Sequence, residues 1–78
     1  MFEFWYIRES PGKLPDNSTG WTIVGPTGLV VAAWISFTEA ESITLAHNMC
    51  VINTAENLGF AEDAIAAYKK HVKTYEKA

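Results

Sequence analysis

Seventy-eight residues, 49% of them hydrophobic and 19% charged, make one domain with one core, too apolar for a disordered polymer. The formal net charge of −3 argues against a nonspecific grip on nucleic acid. The single cysteine, Cys50, excludes an internal disulfide and suits a reducing compartment.

The first expected strand is Phe2 to Arg8, where Phe2, Phe4 and Tyr6 alternate with Trp5 and Ile7, so both faces are apolar. Glu9 to Gly20 carries Pro11, Gly12, Pro15, Asp16, Asn17 and Gly20, a density of breakers that predicts an irregular loop. Asn17-Ser18-Thr19 matches a glycosylation sequon, read as a polar loop because no secretory leader is expected: position 3 is Glu, and no basic segment leads into a short apolar stretch. A second strand, Trp21 to Val24, and a third, Leu29 to Ile35, flank Gly25-Pro26-Thr27-Gly28, where Pro presets one corner of a turn and Gly relaxes the other. The turn also interrupts the charge-free stretch from Trp21 to Phe37, which therefore falls short of the roughly 20 residues of a membrane span.

A helical half follows. Ser36 stands three residues before Glu39, and Thr38 three before Glu41, so two capping-box registers open the first helix, expected over Glu39 to Leu58 with Asn53-Thr54 as a possible break. Ile43, Ala46, Cys50 and Thr54 form one stripe on it, and Leu45, Met49 and Ile52 a neighbouring one, which predicts burial on more than one side. Leu58-Gly59-Phe60 reads as its stop, with Gly59 left-handed. A second helix, Ala61 to Glu76, carries the stripe Ile65, Tyr68, Val72 and Tyr75. The expected architecture is α+β: a three-stranded antiparallel sheet backed on one face by two helices.

Signs of chemistry are sparse. His47 and Cys50 share a helix face, the spacing of half a metal site or of a nucleophile–base pair, but no third group completes either, and packing roles account for both. His71 reads as a solvated helix-end residue. Glu39, Glu41, Glu56, Glu62 and Asp63 suit helix starts better than acid–base work. Gly20, Gly25 and Gly28 lack dinucleotide or phosphate-loop spacing. No cofactor and no metal is expected. Lys69, Lys70, Lys73 and Lys77 form the one candidate anion-binding group, set against the simpler role of a solvated face.

Each strand carries one tryptophan: Trp5, Trp21 and Trp34. Two short helices can cover one sheet face, so the other is expected to bind a protein through Trp5, Ile7, Val30, Ala32 and Trp34. On this reading Trp34→Glu abolishes a complex or a homodimer while the fold survives.

Trp21-Thr22-Ile23-Val24, a glycine turn, Leu29-Val30-Val31-Ala32, then Thr38-Glu39-Ala40-Glu41 and Ile43 resembles a layout of small phage and prophage proteins, over roughly residues 21 to 48. The resemblance implies a phage-encoded accessory protein in the bacterial cytoplasm that binds and blocks a host or phage protein, as anti-CRISPR proteins do; it assigns no site residue. The order of elements is also similar to the DNA-binding arms of phage integrases, but those need Arg and Lys on the sheet, where this chain has Arg8, with Lys13 just after it. The functional expectation is a non-catalytic inhibitor or adaptor. The alternatives are nucleic-acid binding through the lysines and a Cys–His enzyme.

Overall fold

The computed structural model describes residues 2–77, with side chains up to residue 71. Three strands, β1 (Tyr6–Lys13), β2 (Thr19–Val24) and β3 (Val30–Ile35), precede two helices, α1 (Phe37–Asn57) and α2 (Ala61–Lys77). The strands form one antiparallel sheet in the order β1-β2-β3. With short axes of 21 and 19 Å, the body has room for two layers of about 10 Å each. α1 packs on β2 and β1, and α2 on α1 and β1. The protein is thus a small single-domain α+β fold, and no helix among its described residues is long and apolar enough to cross a membrane.

Local chemistry set most of the boundaries. In the β2–β3 turn the Gly28 amide donates to the Gly25 carbonyl at 3.0 Å, with Gly28 at φ +83°, where a β-carbon would be strained. Of the two capping registers the first is used: Ser36 Oγ accepts from the Glu39 amide at 3.2 Å and donates to Glu39 Oε1 at 2.9 Å. α1 runs unbroken through Asn53 and ends in a Schellman motif, with Phe60 N–H on the Ala55 carbonyl (2.7 Å), Gly59 N–H on that of Glu56 (3.1 Å) and Gly59 at φ +87°. In the β1–β2 loop, Asp16 accepts from the Ser18 hydroxyl and amide, which hold its carboxyl below the ordinary range.

The first strand departs from expectation at both ends. Phe2–Trp5 lies outside the sheet, and β1 continues through Pro11-Gly12 to Lys13. β1 is an edge strand, so Pro11 can sit in it without costing the sheet a ladder hydrogen bond, and the register shift between Glu9 and Lys13 is taken up where Gly12 has φ +90°. In β3 the alternation also fails: Val31 is extra between the pairs Val24–Val30 and Ile23–Ala32, and, with Trp21 paired to Ile35, Ala33 and Trp34 together oppose Thr22 alone. Trp34, at φ +61°, carries this bulge.

The core is shallow. Ile7, Ile23 and Ala40 form its centre, with Trp5, Trp21, Ala32 and Ile35 packed against it, and Ile23 and Val24 are the largest fully buried side chains among the described residues. α1 does not bury the stripes expected of it. Ala40, Thr44, Asn48 and Ala55 are the buried positions, while Ile43, Leu45 and Met49 are exposed. Small side chains let the helix lie close to the sheet, and Asn48 must face inward to reach Trp5. On α2, Ala64 is buried and Ile65 exposed; the side chains of Val72 and Tyr75 lie outside the described residues.

Thr44 Oγ1 is buried without a hydrogen-bond partner among the described residues. Thr44→Val keeps the shape, removes that unsatisfied group and should stabilise the fold by about 1 kcal/mol in urea denaturation. A destabilised variant would mean that the hydroxyl is satisfied.

Candidate protein-binding surface

Residues 3–5 lie outside every strand and helix, so their backbone groups need partners from elsewhere. Asn48 supplies two: its Oδ1 accepts from the Trp5 amide at 2.8 Å, and its Nδ2 donates to the Trp5 carbonyl at 3.1 Å. The same carbonyl takes a short hydrogen bond from His71 Nε2, and His47 Nε2 donates to the Glu3 carbonyl at 2.8 Å. Carbonyls only accept, so both imidazoles carry their proton on Nε2. His47 also stacks on the Trp5 indole, with centroids 3.6 Å apart and planes 4° from parallel. Phe4 is buried against Tyr68 and His71. His71 is therefore half-buried and structural where a solvated residue was expected.

This strap divides the five residues expected on one open face. Trp5 lies on the helix side, packed against the core beneath His47. Ile7 is core, 4% exposed, and Ala32 packs against it. Val30 and Trp34 remain accessible, at 50% and 49%. The expected grouping assumed strict alternation, which the β3 bulges break, and a strand beginning at Phe2.

Trp34 does not stand out from the sheet. A β-carbon on Gly20 would meet its ring at 3.1 Å, and one on Gly12 would meet it at 3.4 Å. The indole thus lies over two glycines and beside Leu14, leaving its other face open. On the same side Ser10 and Thr22 share a buried hydroxyl–hydroxyl hydrogen bond of 2.6 Å.

Leu29 (69% exposed), Val30 and Val31 are exposed on and just before the edge strand β3, Trp34 lies across the sheet over Gly20 and Gly12, and the exposed Phe37 opens α1. Phe37 also packs edge-on to Trp21, with centroids 5.0 Å apart. The hydropathy pattern marked these residues as apolar without telling edge from face.

Two concavities flank α1. A cleft of about 400 Å³ is lined by Phe2, Glu3, His47, Cys50, Leu58 and Phe60 among others, so His47 and the exposed Cys50 do share a wall. No hydrogen bond joins the two among the described residues, and His47 Nε2 is committed to Glu3. A smaller pocket of about 140 Å³ lies between Trp5, Ile7, Thr44, Leu45 and Tyr68. Among the described residues no three His, Cys, Asp or Glu side chains cluster as metal ligands. Lys69 and Lys70 are exposed on α2, and the side chains of Lys73 and Lys77 lie outside the described residues.

Fold and surface together define a small α+β protein with a bare apolar sheet edge. No family model matches the chain, and neither a curated protein nor a solved structure is detectably similar to it.

Proposed function

We propose that the chain is a non-catalytic protein-binding module, a stoichiometric inhibitor or adaptor of phage origin and of the anti-CRISPR type, working in the bacterial cytoplasm. One observation carries the binding part: Leu29, Val30, Val31, Trp34 and Phe37, with no charge in residues 29–37, are all exposed in and beside the edge strand β3. Exposed apolar surface of this kind is costly to leave in water and marks an interaction site. The phage and anti-defence part rests on the resemblance of residues 21 to 48 to small phage proteins.

Capture of a host protein at one-to-one stoichiometry should be lost in Val30→Glu, whose melting temperature stays within about 3 °C of wild type because the site is half exposed. Equal capture by Val30→Glu would remove the edge from the binding site. The cleft around His47 and Cys50 sustains a second reading, a Cys–His enzyme. Cys50→Ser should leave capture unchanged; if capture is lost with this variant, the site belongs in that cleft.

A further inference from the structure

The larger concavity beside α1, about 400 Å³, is an apolar cleft that the protein-binding reading does not use. Phe2 and Phe60 bring aromatic surface to its wall, and Val51 and Leu58 bring aliphatic surface. Leu58 and Phe60 are 68% and 54% exposed, so this wall stands open to water. The volume lies within the roughly 300 to 1,000 Å³ of small-molecule sites. A lysine side chain entering from a partner protein would leave most of the wall uncovered, whereas a whole small molecule covers it.

Charge selects the molecule. Glu3 lines the cleft, and Glu62 and Asp63 line a shallower pocket that shares Phe60 with it. Thr54 and Ala55 bring the last turn of α1 to the cleft, and that turn carries no basic residue to answer the negative charge, about one half, of a helix C-terminus. The positive start of α2 is of similar size, and Glu62 and Asp63 in its first turn outweigh it. Among the described residues no Lys or Arg lines either concavity. Lys13 is held by Thr19 at the far end of β1, and Arg8 projects from the sheet face opposite the buried Ile7. The next base in the chain is Lys69, about 12 Å along α2 from Ala61, beyond the roughly 10 Å at which salt screens charge.

We propose that this cleft binds a free organic cation with an apolar body, a quaternary or protonated amine, whose charge sits near Glu3 and the end of α1. Its body lies against Phe2 and Phe60, and aromatic rings attract cations as well as apolar surface. A neutral molecule of the same shape keeps the wall and loses the charge; an anion meets repulsion. The inference goes beyond the protein-binding reading, and its failure leaves that reading standing.

Titration of the full chain with benzyltrimethylammonium, followed by amide NMR shifts at low salt, tests it, with benzyl alcohol as the neutral counterpart. Shifts should centre on Cys50, Val51, Thr54 and Phe60. The cation should bind at least tenfold more tightly than the alcohol. Glu3→Gln should remove about threefold of that preference with the melting temperature unaltered, since Glu3 is exposed and its carbonyl still meets His47. Cys50, the only cysteine, reports on occupancy in the wild type: saturating cation should slow its alkylation by a neutral maleimide. Equal affinity for the cation and the alcohol overturns the proposal. So do shifts confined to the Glu39–Glu41 end of α1, or Cys50 alkylation that the cation leaves unchanged. A Glu3→Gln protein that keeps the full preference overturns the placing of the charge. A blocked Leu-Lys-Leu tripeptide that binds more tightly than benzyltrimethylammonium also overturns it, since the occupant is then a partner's lysine.

Discussion

Asn48→Leu should cost about 3 kcal/mol and lower the thermal midpoint by roughly 15 °C, measured by circular dichroism. Leucine fills much the same volume but leaves the Trp5 amide without its acceptor at a site where Asn48 is 2% exposed. The Trp5 carbonyl keeps His71, so the penalty falls mainly on the orphaned N–H. Asn48→Asp separates the acceptor from the donor. An ionised aspartate can still accept from the Trp5 amide, but it points a negative oxygen at the Trp5 carbonyl. The protonated acid restores both contacts. Burial and that carbonyl raise the folded-state pKa above the unfolded value, so the native state holds the proton more tightly. Stability of this variant should fall as pH rises through the folded-state value and recover towards about pH 4. An Asn48→Leu protein that melts within about 3 °C of wild type would show that residues 3–5 are held by packing alone.

Ile23→Ala should be as severe, about 3 kcal/mol, read from the urea midpoint at unchanged m-value. Ile23 is fully buried where Ile7, Ala32 and Ala40 converge, and the core offers few other large side chains to absorb the gap. A domain of this size commonly has only a few kcal/mol to lose, so the variant should sit near its unfolding threshold. Val30→Ala, one strand away but half exposed, should shift stability by less than about 0.5 kcal/mol. Comparable losses at the two positions would place Val30 in the core and remove the basis for the binding edge.

What could be read ahead of the fold was whatever short-range chemistry decides. Pro26 and Gly28 announced the hairpin, Ser36 and Glu39 the start of α1, and Gly59 its end, because each signal acts over a few residues. Phe2–Trp5 could not be read in this way. Its alternation is that of a strand, yet its hydrogen-bond partners stand 43 to 66 residues away on two helices. The packing face of α1 was hidden for a related reason: Ala40, Thr44, Asn48 and Ala55 carry no strong hydropathy signal, whereas the conspicuous Ile43, Leu45 and Met49 point outward. At the candidate site, Val30 and Trp34 were recognisable as accessible apolar residues. Ile7 looked equivalent to them until the register Ile7↔Ile23 placed it beneath α1.

The tie between Trp5 and His71 also governs the order in which the chain can settle. During synthesis the hairpin can pair and α1 can wind while residue 71 is still unmade, but the Trp5 carbonyl has no imidazole to meet until then. Trp5 is in this way joined long before it can find its place, and folding should wait on closure of the 66-residue span to His71.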